Sequence, residues 1–592
     1  MQLLLLTHGS CLAHAAQANH GLIRKAASAA FFMHISRSYA FGLLLLGASW
    51  QVYDHYRPWV TFHSELLACL GLVALLFGVL KRSGGSVTVP VVSGWMIAVT
   101  LLVWVQYAFG LVFFAGDALL ISLYMSCLWG AILVGYFFRK QDELFAGRAL
   151  LGVMCCIWVA AMLSAALGMM QWLRIQHILG MYILQADLGD RAMGNLGQAN
   201  QLATLLLMGV AAFAYSFEKS LFGKTTLYVG IGFLTIGLIL AQSRSGLLSV
   251  IVLTSFMLWK RRAYAPRMSV AMVSAWALCF LVGSALLPFL SQSLLLDDVR
   301  SVADSGPVSE RFRIWQQTAY AIAQSPWVGY GWNQIPVAHA VGSLAFPSSI
   351  TYTNAHSLIF DMIAWNGLPI GLVLLSAICY WFWVRMKTLK SAADVLAMAS
   401  LLPLAVHSLV EFPFVYTYFL IVAGLMVGVL EGGIGRPKTL SFPNRWLWSF
   451  WVMWVVLGGY LTYEYFLIEE DFRVVRFENL RIGQTSEEYK VPSVWMASQM
   501  AAMLKASRQS VKIDMSVEDL ENLQKVSARF SYGPIRYRYA LALALNGKTQ
   551  EAKRQLDIIR AMYGVRYYEA CLLDIRRLQQ DKFPELGSLL TQ

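Results

Sequence analysis

The sequence predicts an all-α polytopic membrane protein that ends in a helical domain outside the bilayer. Of its 592 residues, 58% are hydrophobic and only 13% are charged, whereas a soluble protein carries about 25% charged residues. The mean hydropathy is +0.57. The apolar residues also fall into separate runs, each close to the length that crosses a bilayer as a helix. These observations exclude a soluble enzyme, a disordered chain and a disulfide scaffold.

Thirteen apolar runs are predicted to be transmembrane helices. They lie near 38–53, 64–80, 90–110, 117–138, 149–173, 195–217, 225–243, 246–259, 268–290, 357–384, 394–411, 413–430 and 446–468. Residues 38–468 therefore form the predicted transmembrane domain, and the more polar residues 469–592 form the predicted helical domain. Residues 1–37 are expected to be a cytoplasmic tail, unless the part before Met33 is an extension upstream of the true start site.

The net charge of +13 is explained by membrane orientation and requires no nucleic-acid surface. Twenty basic residues lie in the segments that precede the odd-numbered spans, and seven lie in the opposite loops. The seven are Arg57, Arg174, Arg191, Arg244, Arg300, Arg311 and Arg313. Because basic residues mark the cytoplasmic face, the C-terminal domain is predicted to lie on the other side. An outer face that uses arginine without lysine indicates anion binding, since the guanidinium grips phosphate with a planar fork.

Polar motifs gather on the predicted outer face. Gly-Asn-Leu-Gly-Gln-Ala-Asn-Gln occupies 194–201, Gln-Ser-Arg-Ser-Gly occupies 242–246, and His-Ser-Leu-Val-Glu-Phe-Pro occupies 407–413. The large loop 291–356 contains Arg-Phe-Arg-Ile-Trp, Pro-Trp-Val-Gly-Tyr-Gly-Trp and Asn-Ala-His. Polar groups next to hydrocarbon are costly and indicate a functional site. A transporter would place them near the middle of the bilayer, so that class is disfavoured.

Taken in order, these motifs resemble the bacterial O-linked protein oligosaccharyltransferases, which belong with the O-antigen ligases and O-antigen polymerases. The resemblance extends from about residue 38 to the C-terminal domain and departs from the family pattern at Ala199, Ser357 and Asn366. It implies a GT-C-like protein of the bacterial inner membrane with a periplasmic C-terminal domain. It also implies a glycan donor carried on undecaprenyl pyrophosphate, a Ser or Thr acceptor on an exported protein such as a pilin, and no metal or other cofactor. An O-antigen ligase or polymerase, joining lipid-linked glycans to lipid A core or to each other, remains the alternative.

Twelve residues are predicted to carry this chemistry. A histidine can accept the proton of the acceptor hydroxyl, and fixed arginines can stabilise the charge that grows on a departing pyrophosphate. The predicted catalytic residues are His356, Arg311 and Arg244. The predicted substrate-binding residues are Gln198, Asn200, Gln201, Asn354, Tyr416, Glu411, Arg313, Arg191 and Trp332. Trp332 belongs to an aromatic group, with Trp315, Trp327 and Tyr330, that is expected to stack on sugar rings.

Several of these residues also have a purely structural interpretation. Arg244 could close a tight helical hairpin, and Arg311 could pair with Glu310 on a solvated helix. Gln198 and Asn200 could cap a helix N-terminus. In the C-terminal domain, two apolar-periodic segments within 537–564 resemble a tetratricopeptide helix pair that could dock the acceptor protein, and a generic helical hairpin is the alternative.

Overall fold

A computed structural model describes residues 37–187, 190–294, 306–435, 437–482, 484–485 and 489–590. It is 76% helical with almost no strand, which confirms the all-α class. The predicted tail before residue 37 and residues 295–305 of the large loop lie outside the described residues.

The helices of the membrane region are α1 Arg37–Ser49, α2 Phe62–Arg82, α3 Gly94–Ala108, α4 Ala115–Lys140, α5 Glu143–Trp172, α6 Ala199–Glu218, α7 Lys224–Leu240, α8 Arg244–Tyr264, α9 Val270–Ser293, α10 Gly306–Gln324, α11 Ile335–Ala345, α12 Leu358–Thr388, α13 Ala392–Val410, α14 Thr417–Gly432 and α15 Asn444–Leu480. A helix covers each of the thirteen predicted spans. In the part of the chain that the structure describes, nine helices are long and apolar enough to cross a membrane. Helices α1, α7, α8 and α14 fall outside that group, so the count of thirteen stays a prediction.

Helix α6 occupies the centre of the bundle and is buried on all sides. It packs against α5, α7, α8 and α13. Helices α4 and α14 cross especially closely, because a Cβ on Gly135 or Gly428 would meet the backbone of the facing helix at 2.0 or 2.1 Å. The position of α6 matters for function, since its N-terminal turn carries predicted site residues.

The described part of the large loop is mostly helix rather than open chain. Helices α10 and α11 occupy it, and the Pro-Trp-Val-Gly-Tyr-Gly-Trp motif forms the turn between them. Gly329 has φ +69° and Gly331 has φ +97°, a region that glycine adopts readily. A Cβ at either position would lie 2.5 Å from a backbone oxygen. Gly329 therefore lets this turn lie directly on α12 at Ala364, and Gly331 lets it lie against Leu111 in the segment after α3.

A two-stranded antiparallel sheet, which the sequence does not predict, joins β1 Ser86–Pro90 to β2 Thr439–Pro443. It pairs the segment after α2 with the segment before α15. This short sheet lies at the end of α2 that is farthest from the large loop.

The C-terminal helices are α16 Ser498–Arg508, α17 Val517–Arg529, α18 Gly533–Leu545, α19 Thr549–Tyr563 and α20 Val565–Asp581. Helix α15 continues without a break past the predicted boundary at 469 to Leu480. Helices α18 and α19 form the predicted hairpin, with Gly547 at φ +79° between them; its identity as a tetratricopeptide pair stays a prediction. Arg529 makes two 2.9 Å bonds to Asp117 of α4, so the C-terminal helices are fixed to the membrane region.

Candidate active site

Five segments that are distant in sequence meet at one end of the helical bundle. They are the start of α6, the turn between α7 and α8, the start of α10, the segment before α12 and the segment after α13, and each contains one of the quoted motifs. The carboxylate of Glu411, which directly follows α13 and is 3% exposed, lies at their centre. The motifs therefore converge in space as well as on one predicted face.

Glu411 binds side chains from three other segments. Its Oε1 accepts hydrogen bonds from Nδ2 of Asn200 at 3.1 Å and from the guanidinium of Arg311. Its Oε2 lies 2.6 Å from Nδ1 of His356. The side chains of Arg311 and His356 remain 22% and 25% exposed. One buried carboxylate thus holds two chemically active groups whose outer parts reach solvent.

The ionised carboxylate of Glu411 indicates which ring nitrogen of His356 carries a proton. Burial alone would raise the pKa of this carboxyl, but the hydrogen bond from His356 and the nearby positive charges, including Arg311, hold the pKa below its usual 4.5. An ionised carboxylate can only accept hydrogen bonds, so Nδ1 of His356 carries a proton. In the neutral ring, Nε2 is then the nitrogen that can accept a proton. This is the arrangement of an oriented general base.

His356 is held in an unusual backbone conformation. Its φ is +52°, in the left-handed region, which costs a residue with a side chain about 1–3 kcal/mol. The residue before it, Ala355, is held at both of its backbone polar groups. Its N–H donates to Oδ1 of Asp361 at 2.8 Å, and its C=O, which belongs to the peptide that precedes His356, accepts from Nε1 of Trp315 at 3.0 Å. Because Trp315 follows Arg311 by four residues, both lie on the same face of α10. The Arg-x-x-x-Trp spacing therefore allows one face of α10 to contact both the Glu411 carboxylate, through Arg311, and the backbone next to His356, through Trp315.

The Gln-Ser-Arg-Ser-Gly motif forms the turn into α8. Ser243 caps that helix by accepting from the backbone N–H of Gly246 at 2.9 Å, and it donates to Oδ1 of Asn200 at 2.8 Å. Arg244 is the first residue of α8. Arg191 donates to the backbone oxygen of Gln242 at 3.3 Å. Arg244 therefore belongs to this turn and Arg191 is bonded to it, and the turn is itself bonded through Ser243 to Asn200, a partner of Glu411.

The amides at the start of α6 form a polar wall. Gln198 occupies the N-cap position without a side-chain capping bond, and its Oε1 accepts from Nε2 of Gln201 at 3.1 Å. Gln201 in turn accepts from the hydroxyl of Tyr418 at 2.9 Å, and Tyr418 stacks on Tyr416 with ring centroids 5.5 Å apart. The side chain of Gln198 therefore does not cap α6, and its role in substrate binding stays a prediction.

Within the described residues, no recorded hydrogen bond or ion pair joins Glu411 or its partners to Asn354, Arg313 or Trp332. Asn354 is 8% exposed and accepts from Thr353 at 3.3 Å. Arg313 is exposed on α10. Trp332 is 6% exposed and packs against Trp365 with ring centroids 4.9 Å apart. The ring of Trp332 is therefore enclosed in this structure and is not open to a sugar.

Three further residues contact the site, and none of them is predicted to have a role there. Ser243 links Asn200 to the α8 turn, as described above. His407, one helical turn before Glu411, places Nδ1 2.8 Å from Oγ1 of Thr204 on α6. Asp361 accepts from the backbone N–H of Ala355, the residue before His356. Ser243 and His407 belong to two of the polar motifs, and the signal for Asp361 is an acidic residue in an apolar span.

No group of three or more His, Cys, Asp or Glu side chains is arranged to hold a metal ion within the described ranges. Metal independence stays a prediction that follows from the resemblance.

Comparisons with known families match three stretches of the chain. Residues 192–215 match the protein glycosylation ligase family, residues 229–375 match the O-antigen ligase family, and residues 395–574 match the C-terminal region of the virulence factor membrane-bound polymerases. These stretches contain, in order, Asn200, then Arg244, Arg311 and His356, and then Glu411. Each matched stretch therefore contains at least one of the residues that meet around Glu411.

Two characterised relatives come from Acinetobacter baylyi. The general O-oligosaccharyltransferase is 24% identical over 543 residues, which cover 88% of this chain and 92% of the relative. The ComP-specific O-oligosaccharyltransferase is 26% identical over 396 residues, which cover 66% of this chain and 70% of the relative. The similarity to the first relative therefore covers nearly the whole chain, and the similarity to the second covers about two thirds of it.

Proposed function

We propose that this chain, a homologue of the bacterial O-oligosaccharyltransferases with an O-antigen ligase region, transfers a preassembled glycan from undecaprenyl pyrophosphate to a Ser or Thr hydroxyl of an exported, pilin-like protein. The observation that carries the proposal is the single buried carboxylate of Glu411, which holds His356 and Arg311 together. Glycan transfer to a hydroxyl requires a proton acceptor next to a cation that can bind the leaving group.

His356 is the proposed general base. Glu411 holds the proton on Nδ1, so Nε2 accepts the proton of the acceptor hydroxyl as its oxygen attacks the anomeric carbon of the donor sugar. A positioned base of this kind contributes about 10²–10⁴-fold to the rate. The oxygen–carbon bond forms while the bond between that carbon and the pyrophosphate oxygen breaks. The proton remains on His356 until solvent takes it from the exposed side of the ring.

The arginines are proposed to bind the leaving pyrophosphate. A guanidinium has five N–H donors, so the contact of Arg311 with Glu411 leaves donors for phosphate oxygens. Arg244, in the turn into α8, and Arg191, which is bonded to that turn, provide the further cations. Fixed cations aimed at a growing negative charge lower the barrier without reorganising during the reaction. No metal ion is needed in this scheme.

The alternative acceptor is a lipid-linked glycan, and the match of residues 229–375 to the O-antigen ligase family favours it. The match of residues 192–215 to the protein glycosylation ligase family favours a protein acceptor, as does the similarity to two proteins named O-oligosaccharyltransferases. The stretch that matches the protein glycosylation ligase family includes the start of α6, which lies beside Glu411. For this reason we favour the protein acceptor.

The proposed location is the bacterial inner membrane, with the Glu411 cluster and the C-terminal helices on the periplasmic side. The basic residues in the opposite segments support this orientation. A fusion of alkaline phosphatase after Glu469 tests it. The fusion should be active, and a stable but inactive fusion would contradict the orientation.

The function is tested by expressing the chain in cells that make a lipid-linked glycan and export candidate pilin-like proteins. We expect the glycan on Ser or Thr of an exported protein, identified by mass spectrometry of its peptides. The His356→Ala variant, expressed to the same level, is the matched control and should leave the protein unmodified. Glycan on lipopolysaccharide and on no protein would overturn the proposed acceptor.

A further inference from the structure

A second polar site lies at the opposite end of the bundle from the Glu411 cluster. A cavity of about 280 Å³ opens between α1, α2, α4 and α5. Its principal lining residues are Tyr39, Leu43, Arg82, Phe138, Phe145 and Arg148. Arg82 is the last residue of α2, about 25 Å along the helix from its first turn. The cavity is thus separate from the proposed active site and lies at the end of the bundle where basic residues are concentrated.

Two arginines form the charged part of this cavity. The guanidinium of Arg82 lies 4.1 Å from the centroid of the Phe145 ring and 3.7 Å from the carboxylate of Asp142. Its side chain is 47% exposed. Arg148 is partly exposed, and none of the ion pairs recorded for the described residues involves it. Two guanidinium groups against one carboxylate leave the cavity with net positive charge.

Tyr39 supplies a second, independent indication of a ligand. Its side chain is 2% exposed, and its ring is fixed edge-on against Phe138 and Phe145, with centroids 5.1 and 5.8 Å away. Within the described residues its hydroxyl has no hydrogen-bond partner. A buried polar group without a partner costs about 1–3 kcal/mol. An acceptor oxygen bound in the cavity would remove that cost.

We propose that this cavity binds the phosphate headgroup of an anionic membrane lipid. Arg82 and Arg148 bind the phosphate oxygens, the Tyr39 hydroxyl donates a hydrogen bond to one of them, and Leu43 and Phe138 contact the glycerol end. Arginine is well suited to phosphate, and basic pockets between membrane helices on the cytoplasmic side recognise anionic headgroups. The volume is close to the lower limit of small-molecule sites, about 300 Å³, which suits a headgroup whose acyl chains remain in the bilayer. The inference does not depend on the proposed glycan transfer.

Native mass spectrometry of the full chain in detergent tests this assignment. Phosphatidylglycerol and phosphatidylcholine are added at equal concentrations, and we expect at least about tenfold preferential retention of one phosphatidylglycerol, as charge-assisted hydrogen bonds allow. The double variant Arg82→Gln/Arg148→Gln should lose that preference. Tyr39→Phe removes a single oxygen and should weaken retention by roughly threefold, since one hydrogen bond contributes modestly. Asp142→Asn removes the opposing charge and should strengthen it.

The matched control is Lys219→Gln/Lys224→Gln, which removes two exposed charges from another segment predicted to lie on the same side. It should retain phosphatidylglycerol as the unmodified chain does. The proposal would be overturned if the Arg82/Arg148 variant retained phosphatidylglycerol as well as the unmodified chain does. It would also be overturned if both double variants lost phosphatidylglycerol equally, because that result would indicate general electrostatic attraction. Inorganic phosphate is the third arm: if it displaces phosphatidylglycerol at similar concentration, the occupant is a soluble anion rather than a lipid. If the arginine variant fails to fold, an unchanged affinity in Tyr39→Phe and Asp142→Asn would still overturn the assignment.

Discussion

Glu411 and Glu65 are two buried carboxylates near the same end of the bundle, and their partners differ in kind. Glu65, 4% exposed in the first turn of α2, accepts from neutral donors. These donors are the side chains of Trp59, Thr61, Tyr124 and Thr417. Glu411, 3% exposed, accepts from one neutral amide and from the two ionisable side chains of His356 and Arg311.

The difference indicates what each carboxylate does. The hydrogen bonds of Glu65 join α2, α4 and the start of α14, and all of its side-chain donors are neutral groups. Two partners of Glu411 are partly exposed: His356 can exchange a proton, and Arg311 can bind an anion. Burial of an acidic residue is therefore not by itself a sign of catalysis; the charge and exposure of its partners are the better indication.

The largest expected effect is at His356. The variant His356→Ala should lower glycan transfer by about 10²–10⁴-fold, the usual contribution of a general base, because no other described side chain on Glu411 can accept the hydroxyl proton. Transfer is measured with purified membranes, lipid-linked glycan and acceptor protein. His177→Ala, which alters an exposed histidine near the end of α5, is the matched control and should keep full activity. Full activity in His356→Ala would remove it from the mechanism.

The Glu411→Gln variant should have the next largest effect, a loss of roughly 10²-fold. The amide keeps the shape of the side chain but removes the charge that orients His356 and pairs with Arg311, and breaking a buried pair costs about 3–5 kcal/mol. The measurement is the transfer rate per folded molecule, with folding checked by thermal unfolding. A rate within threefold of the unmodified chain would show that the carboxylate only stabilises the fold.

Glu411 also predicts how stability depends on pH. Its pKa in the folded chain lies below the usual 4.5, so the folded state binds fewer protons than the unfolded state near that pH. Its contribution to stability is therefore present above pH 4.5 and is lost as the pH falls through the lower folded pKa. Thermal unfolding between pH 7 and pH 3 should show a decline that is smaller in Glu411→Gln. An identical decline in both proteins would contradict the lowered pKa.

Asp361 should have an intermediate effect, because it acts through the backbone of another residue. Asp361→Leu removes the acceptor of the Ala355 N–H and should lower kcat by roughly tenfold with little change in KM, since a small misplacement of a catalytic group is sufficient to slow a reaction. Asp361→Asn retains an oxygen acceptor and should restore most of the rate. If Asp361→Asn and Asp361→Leu lower kcat equally, or if they change only stability, Asp361 does not position His356.

The sequence predicts which residues lie near Glu411 better than it predicts the hydrogen bonds between them. Hydropathy and basic-residue bias place the helices, and six ordered motifs identify His356, Arg311, Glu411 and Asn200, because these signals are local in the chain. The 2.8 Å bond from Ser243 to Asn200 depends on how α6 and α8 pack, which no local pattern encodes. The sheet is equally unpredictable, since its strands are short and lie far apart in the chain.

Trp332 illustrates a different limit. Aromatic composition in an outer loop fits both sugar stacking and core packing. The structure places this ring against Trp365 because the Gly329–Gly331 turn lies directly on α12, with the backbone N–H of Tyr330 and Gly331 bonded to the backbone oxygens of Ala364 and Trp365 at 2.8 and 3.1 Å. In the Pro-Trp-Val-Gly-Tyr-Gly-Trp motif, the spacing of the glycines therefore indicated the close packing of the turn better than the aromatic residues indicated a sugar site.

The smallest expected effect on catalysis is at Glu65, although its effect on stability should be clear. Glu65→Gln replaces an acceptor oxygen with an amide that also donates, so at least one hydroxyl among Thr61, Tyr124 and Thr417 loses its acceptor. A lost buried hydrogen bond of this kind costs about 1–3 kcal/mol. We expect a lower unfolding temperature and a transfer rate per folded molecule within about threefold of the unmodified chain.

The matched pair Glu65→Gln and Glu411→Gln therefore tests the comparison directly, since the chemical change is the same and both sites are buried. If Glu65→Gln folds stably but loses transfer as severely as Glu411→Gln, then Glu65 and its neutral hydrogen-bond donors contribute to transfer and do not only hold α14 in place. Its nearest route to the active cluster would be Tyr416, which directly precedes Thr417 and stacks on the Tyr418 that binds Gln201. Loss of transfer in Tyr416→Phe as well would then assign the phenol, and not the carboxylate, to the substrate.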